Sequence, residues 1–346
     1  MMKKPFVQIF EDKTKLATKI PQANYLPSGQ YPIVDQGQSQ IAGYANDSKG
    51  LFREVPAIIF GDHTRIVKYV DEPFFIGADG VKVLKSTLQN ANYKYLFYAL
   101  SNVKIPNTGY NRHFKWLKES SINVPDQNEQ KRIAERLDKV QELIALQKEQ
   151  LKKLDDLIKS RFIDLFGDPI TNPKGLLQKS MDEISLELFA GGDREQDLAK
   201  VPQGEYKYPV YSNGETRKGL LGYSKHYRVD KKAITISARG TIGFLAIREP
   251  FFTPVVRLIT VVPKENINIV YLKYMLQCIK LVSSGTSQGQ LTVPDFKRIK
   301  ILLDSKNKQD NFADFVTKIE AQKGLLTARL SHLETLYKSL MQEYFG

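Results

Sequence analysis

The chain has 346 residues and one cysteine, Cys278. An internal disulfide is therefore excluded, and a single thiol fits a reducing cytosol, so a cytoplasmic location is expected. The four histidines, His63, His113, His226 and His332, lie far apart, and with one cysteine they cannot build a zinc site. No run of 18 apolar residues is present, so no membrane-spanning helix is expected. The start, MMKKPFVQIFEDKTK, has Lys3 and Lys4 but no apolar core, and no signal peptide is read there.

Motifs for catalysis are missing as well. There is no GxxxxGK[ST] loop for ATP and no Gly-x-Gly-x-x-Gly after a strand. The Asn-Pro-Pro-aromatic signature of amino-methylating DNA enzymes is absent; Asn172-Pro173-Lys174-Gly175 reads as a turn. Pro125-Asp126 followed by Glu129-Gln130-Lys131 mimics a nuclease pattern. Nuclease chemistry needs carboxylates converging on a metal, whereas these lie in the first turn of a helix, where acids cap the N-terminus. Asp62-His63 sits in a turn between two strands. No catalytic residue, metal site or cofactor is expected in this chain.

What the sequence does contain is a repeat. LKKLDDLIKSRFIDLFG (151–167) recurs as LSHLETLYKSLMQEYFG (330–346), at a constant offset of 179. Leu151, Leu154, Leu157, Lys159, Ser160, Phe166 and Gly167 match Leu330, Leu333, Leu336, Lys338, Ser339, Phe345 and Gly346. The first helix is expected after Pro125, with Asp126 as N-cap and Glu129 in a capping-box position. Its apolar seam runs Ile133, Leu137, Val140, Ile144, Gln147, Leu151, Leu154, Ile158, Arg161, Leu165. The second runs Phe312, Val316, Ile319, Lys323, Leu326, Leu330, Leu333, Tyr337, Leu340, Tyr344. The 4,3 spacing is a heptad seam. About 36 residues would make a rod of roughly 54 Å. Antiparallel pairing within the chain is favoured, which would relate the halves by a pseudo-twofold axis; coiling between chains is the alternative. The polar seam residues Gln147, Arg161 and Lys323 either fix register or are partly exposed.

The rest of the chain aligns in two globular parts. Tyr31-Pro32 matches Tyr208-Pro209, Gly37 matches Gly214, and Pro73-Phe74-Phe75 matches Pro250-Phe251-Phe252. The apolar runs AIIF, RIVKYV and VKVL, and their counterparts AITIS, IGFLAI and VRLITVV, predict strands. Helices are expected near Tyr93–Ser101 and Val270–Ile279. The fold class is thus α+β. The divisions are a globular domain at 1–125, a coiled-coil helix at 126–167, a second globular domain at 168–305 and a second coiled-coil helix at 306–346.

The net charge of +13 is concentrated in the globular parts. Residues 1–125 hold 16 Lys+Arg against 10 Asp+Glu, and 168–305 hold 20 against 14, while the helices are near neutral. Nucleic acid is the polyanion that suits paired basic bodies. Two loop classes carry fitting side chains. One follows the AIIF/AITIS strand and offers His63, Thr64 and Arg65 in one copy, and Arg239, Gly240 and Thr241 in the other. The second precedes the last strand and offers Gly109, Tyr110, Asn111, Arg112, His113 and Lys115, then Ser287, Gln288 and Gln290. Arginine can fork onto guanine, Asn and Gln suit adenine, and glycine lets backbone approach phosphate.

Together these features resemble the specificity (S) subunits of type I restriction–modification systems, over essentially the whole chain. The motifs that carry the resemblance are Asn128-Glu129-Gln130-Lys131-Arg132-Ile133-Ala134, Phe166-Gly167-Asp168-Pro169-Ile170-Thr171-Asn172-Pro173, SARGTIG at 237–243, and FGDHTR and GADGVKV in the first copy. The resemblance implies a subunit without an active site that binds double-stranded DNA. Each recognition domain would read half of a split target. The helices would set the gap and dock two methyltransferase (M) subunits, with restriction (R) subunits joining the full complex. S-adenosylmethionine, ATP and Mg would then belong to the partners. Two departures stand out. The second helix begins Asn307-Lys308-Gln309-Asp310, and the first copy lacks a counterpart to Phe189-Ala190-Gly191-Gly192. A fragment of a fused methylase–nuclease and a coiled-coil scaffold are the competing readings.

Overall fold

The computed structural model describes residues 3–77, 79–109, 111–279 and 290–346. The chain forms two compact units. The first body is Met1–Lys148 with Ala328–Gly346, and the second is Glu149–Thr327. Each body takes one end of each long helix, so compactness divides the chain inside the helices rather than at their ends.

In the first body, the run AIIF forms the inner strand Ala57–Gly61, buried along its whole length. It is flanked by Val67–Val70 on one side and Val81–Ser86 on the other, with Phe10–Asp12 at the edge. A second sheet has the order Gly43–Ala45, Tyr31–Val34, Phe75–Ile76, and a small ribbon pairs Lys3–Pro5 with Ser121–Asn123. The second body repeats this plan. Ser185–Ala190, Ile259–Pro263, Ala233–Ile236 and Leu245–Arg248 make its four-stranded sheet. Leu220–Ser224, Tyr208–Tyr211 and Thr253–Pro254 make the three-stranded one, and Leu177–Ser180 pairs with Lys300–Leu303. The α+β class read from the sequence is thus what forms.

The two short helices predicted from the sequence are Tyr93–Ser101 and Ile269–Cys278. Each is N-capped by asparagine: Asn92 accepts from Tyr95 N at 2.9 Å, and Asn268 from Val270 N at 2.8 Å. The six-residue helices Phe114–Glu119 and Val293–Arg298 were not predicted.

The long helices are Gln127–Phe166 and Lys306–Phe345, 40 residues each, or about 60 Å. Asp126 caps the first through its carboxylate, which accepts from Glu129 N at 2.9 Å. The Glu129 carboxylate turns forward and forks onto Arg132, with both contacts at 2.7 Å. Gly167, at φ 77, ends the helix, donating to Ile163 O at 2.8 Å.

Within each body the helices pair antiparallel and within one chain. In the first, Arg136 donates to the Tyr344 hydroxyl and Gln141 to that of Tyr337, both at 2.9 Å, while Lys148 pairs with Glu334 at 3.1 Å. In the second, Asp155 meets Lys323 at 2.6 Å, and the Phe162 and Phe312 rings lie 5.4 Å apart. Lys323, a polar residue in the seam, also bonds Glu320 at 2.9 Å, so it serves as a cross-helix tie.

At one polar seam position the exposed alternative is what forms. Arg161 is exposed and pairs with Asp164, while the buried face there is Ile158, Phe162 and Phe166. At that end the helix packs against a domain core rather than only a partner helix, and a broader apolar face than a heptad seam is required.

Two bonds seat the helices in the bodies, and both recur. Buried Gln130 donates to Pro125 O at 2.8 Å and accepts from Asn92 N at 3.4 Å. Buried Gln309 donates to Asp304 O at 2.9 Å and accepts from Asn268 N at 2.8 Å. Tyr95 donates to Asn123 O at 2.7 Å, and Tyr271 to Leu302 O at 2.6 Å. Burial pushes the Tyr95 hydroxyl up to about 12 and raises that of Tyr271 as well, so both donate as neutral phenols. The terminal phenylalanines of the sequence repeat pack against these tyrosines: Phe345 tilted against Tyr95 at 5.4 Å and Phe166 edge-on to Tyr271 at 4.7 Å.

Candidate nucleic-acid interface

In each body the two loop classes are joined by the same backbone bond. In the first, His113 N donates to Asp62 O at 2.8 Å; in the second, Leu291 N donates to Ala238 O at 3.1 Å. The described residues of both classes therefore lie side by side at one edge of their sheet.

The first-body loops are built around Asp62, which is 4% exposed. Its carbonyl also meets His113 Nδ1 at 2.9 Å, its carboxylate accepts from Phe114 N at 2.7 Å, and its amide donates to Gly80 O at 2.7 Å. Asp62 is therefore a helix cap and a loop tie. His113 is fully buried, stacked 5.4 Å from Trp116. A carbonyl beside Nδ1 fixes the proton on that nitrogen. This places His113 beneath the loop it was expected to present. Arg65 is half-buried in a left-handed conformation, φ 62, and reaches Ile105 O at 3.4 Å. His63 is half-buried, its amide donating to Gln36 Oε1 at 3.1 Å. Thr64, Gly109, Asn111, Arg112 and Lys115 are exposed. Gly109 has φ 77, Asn111 closes its own turn on Thr108, and Lys115 lies 4.1 Å over Trp116. Tyr110 lies outside the described residues.

In the second body, Arg239, Gly240 and Thr241 are exposed at the loop tip, with Gly240 at φ 66. Arg239 Nη2 donates to Gln290 Oε1 at 3.0 Å, which links two residues singled out from separate loops. Ser287 and Gln288 lie outside the described residues.

Sequence reasoning missed two further loops on this edge. A side-chain amide after the strand Tyr31–Val34, and its counterpart after Tyr208–Tyr211, ties three loops together. Gln36 accepts from His63 N and donates to Asp79 O at 2.8 Å. Asn213 accepts from Ala238 N at 2.7 Å and donates to Val256 O at 2.6 Å. The signal available was an amide residue directly before the aligned Gly37 and Gly214. Beneath these loops each body places a buried cation. Lys68 donates to Ser39 O at 2.6 Å and lies 3.5 Å from Asp35; Arg248 donates to Lys218 O at 2.6 Å and sits 3.7 Å over the Tyr211 ring. Burial lowers the affinity of both groups for their protons.

Among the described residues no cluster of three His, Cys, Asp or Glu could hold a metal, and no helix is long and apolar enough to cross a membrane. The edge offers exposed cations, amides and hydroxyls on loops fixed from below, an arrangement suited to contacting phosphates and base edges.

A family model described as the type I restriction modification DNA specificity domain matches residues 6–156 and 191–335. The chain belongs to the type I restriction–modification DNA specificity family. Among curated relatives, a type I specificity subunit of Mycoplasma pneumoniae is 32% identical over 301 residues, covering 83% of this chain and 80% of that one. The Escherichia coli EcoR124I/EcoR124II specificity subunit is 27% identical over 128 residues, 35% of this chain and 31% of that one. The fold matches the crystal structure of a type I S subunit from M. genitalium with a TM-score of 0.68 at 18% identity, covering 100% of this chain and 96% of the other. The duplicated edge is therefore a property of a specificity-family chain, and the two family matches fall one on each copy of the repeat.

Proposed function

We propose that this chain is the DNA-specificity subunit of a type I restriction–modification complex, with no active site of its own. Each body reads one half of a bipartite double-stranded target. One observation carries the reading. The same tie, His113 N to Asp62 O and Leu291 N to Ala238 O, fixes the two loop classes in each body, while the side chains on those loops differ. A shared scaffold with different loops suits two different half-sites.

The long helices set the gap between half-sites and dock two methyltransferase subunits; restriction subunits join the full complex. Those partners, not this chain, bind S-adenosylmethionine, ATP and Mg, and the complex works in the cytoplasm. The test is to co-express the chain with its methyltransferase subunits and map methylated adenines genome-wide. A motif of two constant half-sites around a fixed non-specific gap is expected. Methylation at one continuous site, or methyl transfer by the isolated homogeneous chain, would contradict the reading.

A further inference from the structure

Val256 and Arg257 are consecutive residues in the left-handed region, at φ 54 and φ 58. That conformation is uncommon for side-chain-bearing residues and worst for β-branched ones. The equivalent place in the first body is defined by the amide tie. Gln36 donates to Asp79 O and Asn213 to Val256 O, so the following residues, Gly80 and Arg257, correspond. Gly80 has φ 81, which glycine takes without strain. The second body places an exposed arginine in the same conformation.

Surrounding bonds hold that turn. Val256 N donates to Gly192 O at 2.7 Å, Arg257 N to Gly191 O at 3.1 Å, and Asn213 grips Val256 O. A Cβ on Gly191 would come within 2.6 Å of the Pro254 carbonyl carbon, so Gly191 is what allows the close approach. These are the glycines of the Phe189–Gly192 run that has no sequence counterpart in the first copy. The same Asn213 fixes Ala238, next to Arg239. One amide side chain thus sets two exposed arginines, Arg239 and Arg257, on one edge. No carboxylate among the described residues pairs with Arg257.

We propose that Arg257 is a DNA-contacting residue of the second body, presented by a strained turn that Asn213 positions beside Arg239. The proposal rests on the specificity reading above. A guanidinium can fork onto guanine O6 and N7 or clamp a phosphate. Gly80 cannot supply this contact, so it belongs to the second half-site alone.

The test is Arg257→Gly in the full chain assembled with methyltransferase subunits, using duplexes altered in one half-site at a time. Glycine relieves the turn, so Tm should be unchanged or higher while affinity falls roughly 5- to 150-fold. A base contact would also abolish discrimination at one position of the second half-site. A phosphate contact would instead lower affinity across sequences and reduce the salt slope by about one. Either pattern supports the proposal. Unchanged affinity, discrimination and salt slope would overturn it, as would a lower Tm with equal loss of discrimination at both half-sites. A wild-type complex that binds no bipartite duplex would instead sink the specificity reading itself.

Discussion

Under the recognition loops, the first body places Lys68 on Ser39 O and the second places Arg248 on Lys218 O, each at 2.6 Å. The cations differ and arise from different positions of the hairpin, yet each supports the loop after the first strand of the three-stranded sheet. The amide tie shows the same pattern with Gln36 and Asn213, and the loop-joining bond with His113 and Leu291. Where the helices seat, by contrast, the residues themselves are retained: Gln130 and Gln309, Tyr95 and Tyr271, Phe345 and Phe166. The difference shows where freedom lies. Seating requires particular side chains, because buried donors and acceptors must all be met. The recognition edge requires only that its backbone be held, which several residues can do.

The largest effect that would test this comparison is at the helix ends. Phe166 is fully buried among Tyr271, Phe162 and Phe312, whereas Phe345 is half-buried against Tyr95. Phe166→Ala should destabilise the second body by about 3–5 kcal/mol, the range for emptying a large aromatic site in a core. Phe345→Ala should cost less. Hydrogen exchange resolved by body would show this, and equal losses would mean the two seats are not as unequal as their burial implies.

A smaller effect is expected at the glutamines. Gln309→Leu leaves Asn268 N and Asp304 O without their partner, at about 1–3 kcal/mol. Gln130→Leu should cost less, because its bond from Asn92 N is longer, 3.4 Å against 2.8 Å. Denaturant melts of both variants check the order; a larger loss for Gln130→Leu would contradict it.

Much of the scaffold was legible in the sequence. Helix periodicity, the Asp126 cap, the Gly167 stop and the apolar strand runs are local signals, and each formed close to where it was read. Around Arg161, exposed as one of its two readings had it, the burial of Phe162 and Phe166 was not legible, because packing against the domain core, a tertiary contact, widens the apolar face there. At the recognition edge, composition identified the loops but not the direction of each side chain. His113 fits a DNA-contact pattern by type, yet its ring is the buried anchor of the loop. Gln36, Asn213 and Arg257 escaped notice because their roles depend on loops distant in sequence meeting at one edge. Arg257 sits inside an apolar run, VVRLITVV, that reads as plain strand.

The central claim is that each body reads its own half-site independently. Replacing residues 168–305 with the corresponding segment of another specificity subunit, followed by methylome sequencing of the assembled complex, tests it most directly. One half of the methylated motif should change while the other half remains as it was. A motif altered in both halves, or in neither, would contradict the account.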